Sequence, residues 1–150
     1  MGRFTASVLI LAVSTASGCS IEQPVSGPVT LTGEWKTVTP PEPLRVGHKH
    51  QQKFCLTVGL MRDVEFERGV ALDDGTSQRH EIEGEAVDSE GTRYPLQLGE
   101  AGGDHVCLYR AGESIPSPNF PADRAIATLR LRSEPPLQVA GIRWHSYDQH

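Results

Sequence analysis

Lys53-Phe54-Cys55-Leu56-Thr57-Val58 and His105-Val106-Cys107-Leu108-Tyr109 are the two runs whose alternation decides the fold. In an extended chain successive side chains point to opposite faces. Phe54, Leu56 and Val58 therefore share one side of their segment, and Cys55 and Thr57 take the other. In the second run Val106 and Leu108 oppose Cys107 and Tyr109 in the same way. Each run has one apolar face, and the two cysteines occupy equivalent faces.

Further strand candidates recur outward from this pair: Val29 to Val38, Leu44 to Val46, Val64 to Leu72, Glu81 to Val87, Arg93 to Leu98, Ile126 to Arg132 and Leu137 to Tyr147, with the first cysteine run reaching Leu60. Asp73-Asp74-Gly75, Ser89-Glu90-Gly91 and Ala101-Gly102-Gly103-Asp104 stand between them. In each, Gly supplies positive φ and Asp or Ser closes a local side-chain hydrogen bond. Thr39-Pro40-Pro41-Glu42-Pro43 and Pro116 to Pro121 read as loops, because proline denies a sheet its donor. No segment beyond the N-terminal region carries a sustained helical stripe of apolar residues. Short strands at this spacing predict an all-β antiparallel β-sandwich.

Near the end of the chain Ala127, Leu129 and Leu131 alternate with Thr128, Arg130 and Arg132. Ser133-Glu134-Pro135-Pro136 then turns the chain, which predicts a hairpin. Leu137 and Val139 are in phase with one another, but Ile142 and Trp144 are in the opposite phase. A bulge near Ala140-Gly141 would bring all four to the core.

The N-terminus has another character. Arg3 is followed by the apolar run Val8-Leu9-Ile10-Leu11-Ala12-Val13 and then by Ala16-Ser17-Gly18-Cys19. A basic start, a short apolar stretch and small residues before a cleavage point make a secretory signal. Polar Ser14, Thr15 and Ser17 close the run well short of the roughly 20 apolar residues a membrane span needs. A plain secretory signal with an incidental cysteine is the rival reading. The segment resembles the lipobox of bacterial lipoproteins, with Ala16 where that pattern prefers Leu. The resemblance implies lipidation of Cys19, cleavage before it and acylation of the new terminus. Ser20 after the cysteine implies sorting to the periplasmic face of an outer membrane. Residues 1–18 are then a signal peptide, 19–28 a lipidated, breaker-rich tether and 29–150 the sandwich domain.

Cleavage takes 18 of the 150 residues and leaves 132, enough for one core. It also removes one Arg and no acid, so the net charge moves from −5 to −6. That acidic balance excludes nucleic acid as an electrostatic partner. With Cys19 assigned to lipid, Cys55 and Cys107 form an even pair in an oxidising compartment. A disulfide between neighbouring strands is expected, closing a loop of about 50 residues and contributing roughly 4 kcal/mol in the chain-entropy account. The competing reading is a reactive or metal-binding thiol pair. For that reading His105 is the one nearby histidine, without a zinc-like spacing.

The strand rhythm over about 120 residues, ending on a long strand, resembles the jelly-roll β-sandwiches of galactose-binding-like and carbohydrate-binding modules. An immunoglobulin-like sandwich is the alternative, although the Trp expected midway between the cysteines is missing. The resemblance implies a module that binds through loops or a sheet face.

Candidate chemistry is sparse. His48-Lys49-His50, with His145 and His150 as further imidazoles, reads as an exposed turn rather than a metal site for want of a spaced third ligand. Asp73, Asp74, Asp88 and Glu90 flank turns and read as solvated carboxylates, with an oxygen-rich calcium site as the alternative. No Gly-x-Ser-x-Gly elbow, His-Glu-x-x-His or glycine-rich phosphate loop occurs, so neither a catalytic residue nor a cofactor is expected. Trp35, Trp144, Tyr109 and Tyr147 are the aromatic candidates for a contact. Trp144, in phase with Ile142, reads as core, whereas Arg143, His145 and Tyr147 share the opposite face and form the best candidate patch. The sequence thus predicts a lipid-anchored, non-catalytic binding or structural module of the envelope. Its partners would be the membrane and an envelope protein or glycan. A carbohydrate- or peptidoglycan-binding module and an envelope hydrolase are the alternatives.

Overall fold

The computed structural model describes residues 20–47, 50–58, 64–66, 70–73, 79–112 and 119–148, all of it strand, turn or irregular chain. Among the described residues twelve strands run in chain order: β1 (Ile21–Ser26), β2 (Val29–Leu31), β3 (Lys36–Val38), β4 (His50–Thr57), β5 (Val64–Phe66), β6 (Val70–Asp73), β7 (Arg79–Asp88), β8 (Arg93–Gly102), β9 (His105–Arg110), β10 (Ile126–Glu134), β11 (Leu137–Val139) and β12 (Gly141–Asp148). A large antiparallel sheet has the order β1-β12-β4-β9-β8-β7-β10-β3, with β6 also on β7 and β5 on β6. β11 and β2 form a small second sheet. The chain is an all-β antiparallel sandwich, as its alternation predicts.

The two cysteine runs are β4 and β9, paired antiparallel with Cys55 opposite Cys107. Phe54, Leu56, Val58, Val106 and Leu108 all face the interior. They meet Trp144, Ile142, Leu129, Leu131, Leu31, Leu44 and Ile126 in one core. Trp144 is fully buried within 4.8 Å of Phe54 and 5.6 Å of Phe120, centroid to centroid. Its indole N–H donates to the Arg45 carbonyl at 2.9 Å, which satisfies the polar end of a core aromatic.

Four differences from the sequence reading have physical reasons. First, Ser20 to Pro28 is no loose tether, because Ile21–Ser26 forms the edge strand β1 along β12. Gln23 and Val25 alternate inward there, and Pro24 is tolerated since an edge strand spares it a ladder donor. Gln23 uses its amide on the neighbouring chain, donating to the Pro43 carbonyl and accepting from the Arg45 N–H at 2.7 Å.

Second, β10 and β11 make no hairpin. β10 pairs with β7 and β3, whereas β11 pairs with β2. The chain changes sheet through Pro135 and returns to the large sheet at Ala140, and two sheet changes rather than a bulge bring Leu137, Val139, Ile142 and Trp144 to the core. Third, Val29 to Val38 is two strands, because the chain leaves the small sheet after Leu31 and joins the large one at Lys36. Gly33 lies so close to Glu134 that a Cβ there would sit 2.4 Å from its carboxylate. Fourth, Leu44 contributes one bridge to Ile126 instead of a strand, and Val64 to Leu72 falls into two strands, β5 and β6.

The turns at Ser89–Gly91 and around Gly103 form as expected, with positive φ at Gly91 (84°) and Gly103 (60°). The Asp73-Asp74-Gly75 turn lies outside the described residues beyond Asp73, as do Cys19, His48, Lys49 and His150.

Candidate functional site on the disulfide face

The face of β4 and β9 that turns away from the core carries Lys53, Cys55, His105, Cys107 and Tyr109. Cys55 and Cys107 are joined by a disulfide with Cα atoms 4.1 Å apart. On β8, alternation would turn Glu100 inward with Leu98. The register instead shifts between Leu98 and Glu100, so that Glu100 stands opposite Cys107. One extra residue in the bulge turns the carboxylate onto the disulfide face. Gly99 occupies the bulge, and the Tyr109 ring lies against it so closely that a Cβ would be 2.1 Å from the ring.

Glu100 is the hub of this face. Lys53 donates to its Oε2 at 2.8 Å and the Tyr109 hydroxyl donates to the same oxygen at 3.2 Å. His105 Nε2 is 3.7 Å from Oε1, a long contact, and its Nδ1 is 3.6 Å from Asp104. The hydrogen bond from Lys53 holds the Glu100 carboxyl below its usual range, outweighing the opposing effect of partial burial. Glu100 and His105 are both more than two-fifths exposed.

Further along the same face lies the patch predicted from the sequence. Arg143 and His145 share the outer side of β12 and both contact Glu22 of β1, at 3.5 and 3.0 Å. His145 is half-buried. Burial lowers its pKa below the ordinary imidazole value, Lys53 and Arg143 add to the effect and Glu22 opposes it. Tyr147 belongs to β12 opposite Gln51, and its side chain lies outside the described residues. The register joins the two groups, because Arg143 is opposite Cys55 and His145 opposite Lys53.

A different cluster forms around Asp88 at the end of β7. Its carboxylate is buried, which corrects the reading of a solvated turn residue. The Asp88 Oδ1 accepts from the backbone N–H groups of Glu90 and Thr92, both at 2.9 Å, and Oδ2 accepts from the Tyr94 hydroxyl at 2.8 Å. Arg124 reaches Oδ2 at 3.4 Å and Glu90 at 3.1 Å. Burial opposes ionisation, but the hydrogen bonds from Tyr94, Thr92, Glu90 and Arg124 overcome it and hold the carboxyl at about 2. This carboxylate closes the β7–β8 turn.

Trp35 lies half-buried on the outer face of β10, with Arg130 and Arg132 over its ring at 5.0 and 4.6 Å from the centroid. The same guanidinium groups pair with Glu85 and Glu83 of β7. Sequence reasoning missed Glu22, Lys53 and Glu100 as members of the site. The available signal for Glu100 was a glycine at the end of a strand pattern, which marks a bulge.

The fold and this face define a disulfide-stapled β-sandwich with a charged outer face. No protein-family model matches the chain, and neither a curated protein nor a solved structure matches it.

Proposed function

We propose that the chain is a lipid-anchored lipoprotein of the bacterial envelope, on the periplasmic face of an outer membrane, acting as a non-catalytic binding or structural module. The observation that carries this reading is the run Ala16-Ser17-Gly18-Cys19 placed directly before β1, which begins at Ile21. With only Ser20 between an acylated Cys19 and the first strand, the anchor couples to the sandwich without a flexible spacer. Ile21 pairs with Ser146, which pairs with Gln52; on this reading that end of the large sheet would face the bilayer. Gly141, Thr57, His105 and Gly102 form the opposite end, directed outward. The Glu100 cluster belongs to that outward half, where an envelope partner meets it first.

Substituting Cys19→Ala tests the anchor. Fatty-acid labelling is expected to vanish and the protein to leave the membrane fraction; persistence in membranes contradicts the reading.

The carbohydrate- or peptidoglycan-binding reading draws on one observation, the half-buried Trp35 with Arg130 and Arg132 over its ring and those guanidinium groups paired to Glu85 and Glu83, a polar surface suited to hydrogen-bonding sugar hydroxyls beside an aromatic. Trp144, being core, takes no part in such a platform. Co-sedimentation with peptidoglycan that is abolished by Trp35→Ala would favour this second reading.

A further inference from the structure

We propose that Cys55, Cys107, His105 and Glu100 form a redox-gated site for a thiophilic divalent metal ion of the zinc type, closed by the disulfide and opened by a dithiol reductant. The proposal is independent of where the chain is anchored. Donor atoms of Glu100, His105 and Cys107 all lie within 4.8 Å of one another, and the Cys55 sulfur is bonded to that of Cys107. The four residues project from three adjacent strands, β4, β9 and β8, on one face. His105 stands two positions before Cys107 on β9, and Glu100 and Cys55 are the register partners of Cys107 on either side. Two sulfurs, an imidazole and a carboxylate held on strands make the donor set of a tetrahedral zinc site.

The gate follows from sulfur chemistry. A thiolate is the metal ligand, and a disulfide sulfur is not one. A dithiol reductant breaks the Cys55–Cys107 bond, passing two electrons and two protons to the sulfurs and becoming a disulfide itself. Metal binding then releases the two thiol protons to solvent. Charge supports the divalent ion. Two thiolates and the Glu100 carboxylate face a neutral imidazole, and Lys53 already offsets part of the negative charge through Glu100 Oε2. Glu100 Oε1 is the oxygen turned towards His105. Asp104, near Nδ1 of His105, is placed to orient the ring with Nε2 towards the site, as outer carboxylates do for metal-bound histidines.

The test uses the full chain, oxidised and after reduction with a phosphine, titrated with Co²⁺ and followed by thiolate-to-cobalt charge-transfer absorption. One equivalent is expected to bind to the reduced chain, to be displaced by Zn²⁺ and to leave no such band in the oxidised chain. His105→Ala and Glu100→Gln, both at half-exposed positions, are each expected to weaken binding at least tenfold. The proposal is overturned if the reduced chain binds no better than the oxidised one, if both variants titrate like the parent, or if circular dichroism shows that reduction alone dissolves the sheet.

Discussion

Asp88 and Glu100 are both carboxylates bonded to a tyrosine hydroxyl and a cation, yet they occupy opposite conditions. Asp88 is buried, and its two oxygens receive two backbone N–H groups, Tyr94 and Arg124. Glu100 stands on an open face, where Lys53 and Tyr109 share one oxygen and the other, among the described residues, has a long contact to His105. The contrast shows that clustered charge does not by itself make a site. A carboxylate whose acceptor capacity is spent on its own backbone is a staple, whereas one with capacity left towards solvent is available to a ligand.

The largest loss is expected where the staple is broken. Asp88→Asn removes a charge from beneath Arg124 and Tyr94 and leaves one of its N–H contacts facing a donor. Calorimetry should show a fall in Tm on the order of 10 °C, since unpairing a buried ion pair is among the costliest substitutions. Replacing both Cys55 and Cys107 by Ser comes next, at about 2–4 kcal/mol in denaturant unfolding. Gly99→Val drives a side chain into the Tyr109 ring and is expected to cost about 1–3 kcal/mol by overpacking. It should also weaken the Tyr109 to Glu100 hydrogen bond, visible as a shift in tyrosine absorbance. Glu100→Gln in the oxidised protein should change stability by less than about 1 kcal/mol, as exposed ion pairs do. A loss at Glu100 equal to that at Asp88 would dissolve the distinction between the two clusters.

Most of the sandwich was legible because period-two alternation reports burial directly. β4 carries it cleanly and β10 from Leu129 to Ser133, whereas in β9 Cys107 and Tyr109 are buried along with Val106 and Leu108; the faces of Cys55 and Cys107 still followed from it. What stayed hidden was topology. Nothing in the alternation of Leu129, Leu131, Leu137 and Val139 says that β10 and β11 join different sheets, because pairing partners distant in sequence leave no local trace. β1 was hidden by composition: Pro24, Ser26 and Gly27 are residues of a linker, and their tolerance on an edge strand depends on β12 beside it. The candidate site was half legible. Arg143 and His145 emerge from phase, but Glu22 reaches them only through β1, and Glu100 reaches Cys107 only through a one-residue register shift. Asp88 illustrates the reverse error, since an Asp before a turn has the same local signature whether its carboxylate is solvated or, as here, covered by Tyr94 and Arg124.

The contrast also fixes an acid response. The carboxyl of Asp88 titrates lower in the folded chain than in the unfolded one, where about 3.9 is usual. Its contribution to stability is therefore complete above that unfolded value and is lost as the pH falls through about 2. A carboxyl-carbon NMR titration of the oxidised protein measures this most directly. The expected Asp88 midpoint is about 2, far below the ordinary range, for a staple saturated with donors. An Asp88 midpoint in the ordinary carboxylate range would show its donors to be absent, and the division of the molecule into a buried staple and an open site would fail.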